Sequence, residues 1–393
     1  MAAERPISIF LSAGEASGDL YASELALELL RRRPELRLFG CAGPRMRAAG
    51  VRAVVRAESL AVVGLVEVVA HIPRIYREFR KLLAAARREP PAVAVLTDSP
   101  DFHLRIARKL HALGVPVVYL VAPQVWAWRK DRLPLMRRVL TRLLCIFPFE
   151  ETFFLDHGVA ARYIGHPLTR RIRASTGREE FFREFGLTPG VPLVVLLPGS
   201  RRGEALRHLD DLVGAAALLA AKGPVQFVLP ASPNTGKAFF DEHIFRERKT
   251  FSAIQVIEGR SWDAIAHADL ALAASGTVTV ECALLGTPLV TFYKVSKLSW
   301  YLGKLLVRVP FYSMVNLIAG RRLAPELMQS ECTAGRLAAE ARHLLEDAGA
   351  REAMRSGLAE VRAELQSDRD PIAAAADEVM QILAVVEANG ATS

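Results

Sequence analysis

Leu270-Ala271-Leu272-Ala273-Ala274-Ser275-Gly276-Thr277-Val278-Thr279-Val280-Glu281-Cys282-Ala283-Leu284-Leu285 decides how the chain folds. Residues 270–273 form an unbroken apolar run, the pattern of a short strand buried on both faces. Small and hydroxyl-bearing side chains follow at 274–277, and 280–285 then reads as a helix. Strand, tight turn and helix make the repeating unit of a parallel sheet covered by helices. The turn places Ser275, Gly276 and Thr277 at a helix N-terminus, where N–H groups and the helix dipole favour an anion such as a diphosphate. Glu281 follows Thr277 by one helical turn, on the same face. Its neighbours Val278, Val280, Cys282, Ala283 and Leu284 are apolar, so its charge needs a partner, and a ribose diol suits it better than a phosphate.

The same unit recurs in both directions along the chain. Residues 7–11 read as a strand, 14–18 as a turn and 20–33 as a helix; strands at 92–96 and 117–121 flank a helix at 104–113. The pattern restarts after residue 168. A charged helical stretch spans 170–184, and strands follow at 193–197, 225–229, 253–257, 270–273 and 288–292. At 393 residues the chain is too long for one core. The expectation is therefore an α/β protein of two doubly wound, Rossmann-like domains, 1–168 and 169–365, with the boundary within 165–190. Helices at 334–345, 351–365 and 371–387 close the chain, those beyond about 366 crossing back to the first domain. Ligands in such folds sit at the carboxyl ends of the strands, here in a cleft where the two sheets face each other.

Three further strand ends carry chemistry. After the first strand comes Ser12-Ala13-Gly14-Glu15-Ala16-Ser17-Gly18-Asp19. Gly14 and Gly18 let the backbone turn and approach a ligand, while Glu15 and Asp19 would repel a pyrophosphate, so a sugar or acceptor head group fits this loop. A plain turn with Asp19 as helix cap fits the spacing as well. Thr97-Asp98-Ser99-Pro100-Asp101-Phe102 follows the strand at 92–96; Asp98 there can take a proton from a hydroxyl, and Asp101 can cap the next helix. Pro198-Gly199-Ser200-Arg201-Arg202 follows the strand at 193–197, with backbone donors at Gly199 and Ser200 and a guanidinium at Arg201 suited to phosphate oxygens. A surface arginine on a turn is the alternative.

Composition narrows the partners. The net charge of +9 points to an acidic partner: nucleic acid, an anionic membrane or a phosphorylated substrate. Cys41, Cys145, Cys282 and Cys332 are far apart in apolar stretches and read as reduced and buried. The run 7–11 is too short for a signal-peptide core, and the longest apolar stretch, 60–72, is broken by Glu67. A chain that stays in the cytoplasm is expected. The histidines include no H-x-x-x-H pair and no D-x-D ends a strand, so no metal site is expected; His166, in Gly165-His166-Pro167, reads as a turn or hinge residue.

The motifs together resemble the lipid-A-disaccharide synthase family. The resemblance runs through 13–19, Ala42-Gly43-Pro44-Arg45-Met46, 98–102, Val125-Trp126-Ala127-Trp128-Arg129, 165–167, 197–201, 274–277 with Glu281, and Asn316-Leu317-Ile318-Ala319-Gly320. It implies a GT-B fold and inverting, metal-independent transfer of a diacylglucosamine from its UDP conjugate to the 6-hydroxyl of 2,3-diacylglucosamine 1-phosphate (lipid X), with no cofactor. By the resemblance Asp98 is the general base, and Arg201, Ser275, Gly276, Thr277, Glu281 and Asn316 form the nucleotide site. Ser99 replaces the family's usual alanine, and Val315 replaces the proline before Asn316, which leaves that loop less rigid. Another GT-B enzyme, such as a sugar-nucleotide epimerase or a peptidoglycan glycosyltransferase, would share the nucleotide site; a non-catalytic two-lobed binding protein is the other alternative. No nucleic-acid partner is implied, and a homodimer is left open.

Lipid substrates call for an interfacial surface. Residues 60–75 are apolar, and Arg74, Tyr76, Arg77, Phe79, Arg80, Lys81, Arg87 and Arg88 follow. Basic and aromatic residues mix again at Trp126, Trp128, Arg129 and Lys130, and over 294–312. Such mixtures bind anionic interfaces peripherally, and the expected location is the inner face of the inner membrane. A core helix with a solvated charged face is the competing reading of 60–81.

Overall fold

The computed structural model describes residues 7–60, 65–247, 254–296, 300 and 309–391. The chain divides into two compact units, Met1–Pro167 with Ser367–Ser393, and Leu168–Gln366.

The first unit is built on seven parallel strands: β1 (Ser8–Ala13), β2 (Arg37–Ala42), β3 (Arg52–Arg56), β4 (Val93–Thr97), β5 (Val117–Leu120), β6 (Arg142–Cys145) and β7 (Ala161–Tyr163), in the order β3-β2-β1-β4-β5-β6-β7. Every residue of β1, β4 and β5 is buried, as a strand covered on both faces requires. The helix Ala16–Arg32 turns Ala22, Leu25, Ala26 and Leu29 inward at helical spacing. The last helix, Pro371–Ala391, belongs to this unit and buries Ala375, Ala376, Val379 and Leu383. Ion pairs from Arg32 to Asp377 (2.6 Å) and from Arg33 to Glu387 (2.8 Å) fix it beside Ala16–Arg32.

The second unit holds six parallel strands: β8 (Leu193–Leu197), β9 (Gln226–Ala231), β10 (Ile254–Glu258), β11 (Leu270–Ala274), β12 (Leu289–Tyr293) and β13 (Glu326–Met328), in the order β10-β9-β8-β11-β12-β13. In each sheet the strand order reverses once, between β1 and β4 and between β8 and β11. Those are the points where the two flanking loops part and leave a crevice. Ala13 pairs with Thr97, and Leu197 with Ala273, so each pair of loops starts side by side.

Some boundaries differ from expectation. The first helix begins at Ala16, because Glu15 takes the cap position, so Ser17, Gly18 and Asp19 lie in its first turn. The charged stretch 170–184 is helical only over Arg178–Glu184. Residue 253 of the expected strand 253–257 lies outside the described residues. Val315 sits in the helix Met314–Ala319, capped by the Ser313 hydroxyl, so Asn316 lies on a turn of helix rather than in an open loop. All four cysteines are free and buried.

Candidate active site

At the first switch point, β4 ends at Thr97 and the backbone turns left-handed, with φ +55° at Asp98 and +37° at Ser99. Non-glycine residues hold this conformation where their surroundings enforce it. The Asp98 carbonyl accepts from His103 Nδ1 at 3.0 Å and from the Tyr119 hydroxyl. A carbonyl only accepts, which puts the His103 proton on Nδ1 and leaves Nε2 to accept from the Ser12 hydroxyl at 2.8 Å. Burial lowers the His103 pKa to about 4, so the ring is neutral.

The Asp98 carboxylate accepts from the N–H of Gly14 (2.9 Å) and of Glu15 (3.0 Å), the residues that lead into Ala16–Arg32. A Cβ at Gly18 would lie 1.7 Å from Asp98 Oδ2, and one at Gly14 would lie 2.7 Å from Ser99 Oγ. These glycines therefore make room for the Asp98 turn. Burial raises the Asp98 carboxyl to about 7, although the two N–H donors pull the other way. Its side chain remains 11% exposed. A reachable carboxyl that titrates near neutrality is matched to accept a proton from a hydroxyl.

Glu15 and Ser17 are exposed on the loop, whereas Gly18 and Asp19 are buried. Asp19 does not cap its own helix. Its carboxylate accepts the N–H groups of Arg45 (3.0 Å) and Met46 (3.1 Å), at the start of the helix Pro44–Ala48. Asp101, expected as a cap, is exposed and pairs with Arg132.

At the second switch point the helix Thr277–Leu285 starts directly beyond β11. The Ser275 N–H donates to Phe292 O (2.8 Å) and its hydroxyl to Tyr312 O (2.8 Å), which holds the turn against the end of β12. The N–H groups of Gly276, Thr277 and Val278 precede the first intrahelical bond, Thr279 N–H to Gly276 O (3.1 Å), and can donate to an anion. Gly276 is extended and a Cβ there would meet nothing within 4 Å, so no protein atom calls for glycine and the space above it is open. Burial raises Glu281 to about 7, against a hydrogen bond from Trp262 that lowers it. Trp262 thus gives the half-buried Glu281 carboxyl a hydrogen-bond partner.

Beside this turn, Gly199 has φ +108°, and a Cβ on it would come within 2.6 Å of the Glu204 carboxyl. Ser200 and Arg201 are exposed, with Arg201 at the cap of the helix Arg202–Ala220. Buried His208 receives the Lys294 N–H on Nε2 (2.9 Å) and donates from Nδ1 to Pro198 O (2.8 Å), tying the loop after β8 to the end of β12. Asn316 bonds extensively within the protein. It is fully buried, its amide donates to Ala324 O and Glu326 (both 2.9 Å), and its oxygen accepts from Leu323 (2.9 Å) and Ala324 (2.8 Å). With every side-chain donor and acceptor committed, it shapes the loop 323–326.

Residues 9–379 match the family described as Lipid-A-disaccharide synthetase. A lipid-A-disaccharide synthase of Solibacter usitatus is 60% identical over 375 residues, 95% of this chain and 97% of that protein. The chain belongs to the lipid-A-disaccharide synthetase family. It is an enzyme, a glycosyltransferase of lipid A biosynthesis, with the two parallel-sheet domains of the GT-B fold. Among solved structures, a UDP-N-acetylglucosamine 2-epimerase of Listeria monocytogenes matches with a TM-score of 0.61 at 13% identity, covering 99% of this chain and 98% of that one. MurG of Acinetobacter baumannii matches with a TM-score of 0.59 at 15% identity, covering 96% and 100%. At these identities the likeness is one of fold.

In this lipid-A-disaccharide synthetase family member, sequence reading missed Ser12, His103, Tyr119, Trp262, Glu204 and His208. His103 lies one residue past the Asp98 motif, on the face of its helix that also carries the buried Ile106, Ala107 and Leu110, and a histidine on such a face needs partners. No helix among the described residues is long and apolar enough to cross a membrane. On the helix Leu65–Arg88, Arg74, Tyr76, Arg77 and Arg80 are exposed, and so is Ile72. Phe79 is half-buried, stacked on the exposed Tyr76 (6.3 Å) and edge-on to Phe102 (6.0 Å). Trp126 is buried and donates to Glu150, which removes it from any interface, whereas Trp128 is exposed with Arg129 over its ring. Residues 61–64, 297–299 and 301–308 of the expected interfacial stretches lie outside the described residues.

Proposed function

We propose that this enzyme joins UDP-2,3-diacylglucosamine to 2,3-diacylglucosamine 1-phosphate, releasing UDP and the tetraacyl disaccharide 1-phosphate. The observation that carries this reading is the Asp98 carboxyl: raised to about 7, reachable, and held at a switch point with Glu15 and Ser17 exposed beside it. Asp98 takes the proton of the acceptor 6-hydroxyl as that oxygen attacks the anomeric carbon of the donor sugar. The new glycosidic bond forms on the face opposite the breaking bond, and the electron pair of that bond leaves with UDP.

The second unit supplies the leaving-group chemistry. The N–H groups of Gly276, Thr277 and Val278 and the dipole of Thr277–Leu285 receive the diphosphate, and Arg201 adds a mobile positive charge. Glu281 with Trp262 takes the ribose. The exposed Ile72, Arg74, Tyr76, Arg77 and Arg80 bring the first unit to an anionic membrane surface, where both lipids reside.

Mass spectrometry of the products tests this reading. Both substrates together should give the tetraacyl disaccharide 1-phosphate, while the UDP-sugar alone should stay unchanged. An epimerised or hydrolysed sugar formed without the acceptor would refute the proposal.

A further inference from the structure

We propose that Tyr119 and His103 are positioning residues for the transfer, gripping the Asp98 carbonyl from two sides and thereby setting where its carboxylate points. The inference rests on Asp98 being the base. Neither side chain hydrogen-bonds the carboxylate: His103 Nδ1 is 3.7 Å from Oδ1, and the carboxylate oxygens are taken by Gly14 and Glu15. His103 therefore does not relay the proton, as the histidine of a hydrolase triad would.

The donors come from separate elements. Tyr119 stands on β5, His103 on the helix Pro100–His111, and Ser12, which fixes the His103 tautomer, on β1. All three are fully buried, so none competes for water and none reaches a substrate. Both lone pairs of the carbonyl are occupied, and a peptide pinned in this way cannot rotate out of its left-handed conformation. Rotation of that peptide would swing the carboxylate away from the Gly14 and Glu15 amides. Loss of one donor leaves the carbonyl bonded to the other.

Tyr119→Phe removes one donor and no carbon. It should lower kcat about tenfold, since small displacements of a reacting group cost that much or more, with KM for the UDP-sugar and the thermal midpoint little changed. Introduced into Asp98→Asn, the same change should leave the residual rate where it is, because there is no longer a base to position. His103→Asn, which keeps a donor near the place of Nδ1, should retain more activity than His103→Leu. An equal loss from Tyr119→Phe with and without Asp98, or no loss in the parent enzyme, would overturn the positioning role. Should Asp98→Asn itself turn over like the parent, the assignment of the base fails, and the positioning falls with it.

Discussion

The carboxylate of Asp98 occupies the space that a side chain at Gly18 would need, with Oδ2 only 1.7 Å from the place of the missing Cβ. Gly18 lies in the first turn of Ala16–Arg32, where alanine would ordinarily gain about 0.5–1 kcal/mol over glycine. Here the clash decides the outcome. Gly18→Ala should lower kcat by about a hundredfold, the scale of a displacement near 1 Å, while circular dichroism shows an intact fold. Activity within a few-fold of the parent would mean that Asp98 needs no such seat.

The pH dependence follows from the Asp98 carboxyl, which must be ionised to act. kcat/KM should rise with pH through an apparent pKa of about 7. Stability should run the opposite way. Asp98 and Glu281 are both raised to about 7 by burial, so the folded state binds more protons than the unfolded chain between the ordinary carboxyl range and 7. Stability from these groups is fully present at the acid end of that window and is lost as pH rises through about 7. Thermal midpoints of the ligand-free protein across the window should fall, and less steeply for Asp98→Asn.

Much of the fold was legible because the strands at the two switch points are short, unbroken apolar runs; β1, β4, β8 and β11 stand where the pattern puts them. β2 and β3 were missed because each carries arginine at its ends or a glycine within, and β7 and β13 because three residues show no period. At the site, the reacting carboxylate was legible and its support was not. Gly14 and Gly18 advertise freedom of the backbone, but only the fold shows that Asp98 fills the space above them. Asn316 entered the nucleotide site only through the family resemblance; its four hydrogen bonds to Leu323, Ala324 and Glu326 are visible only in the fold.

Asn316→Ala should act through stability. It strands Ala324 O and the Leu323 and Ala324 N–H groups, and each buried orphan costs about 1–3 kcal/mol. A depressed thermal midpoint with UDP affinity largely preserved at low temperature is expected. Loss of UDP binding at an unchanged midpoint would instead restore the direct contact.

Gly276→Ala is the converse case. The backbone there is extended and the space open, so the midpoint should hold, while a methyl group placed over the free amides weakens UDP binding by on the order of tenfold. Calorimetric titration with UDP reads it, and undiminished affinity would move the diphosphate elsewhere.

Replacing Arg74, Arg77 and Arg80 together by glutamine should remove on the order of 3 kcal/mol of attraction to an anionic surface, about 1 kcal/mol each. Co-sedimentation with phosphatidylglycerol vesicles should drop accordingly. Binding unchanged by the triple replacement would leave this face a solvated helix surface.

Single turnover of UDP-diacylglucosamine with lipid X, followed by mass spectrometry in the parent and in Asp98→Asn, tests the central claim most directly. The rate of disaccharide formation should fall by about 10²–10⁴ in Asp98→Asn, with UDP affinity unchanged and the pH dependence near 7 abolished. Disaccharide formed by Asp98→Asn at the parent's rate and with the parent's pH profile would contradict the assignment of Asp98 as the base.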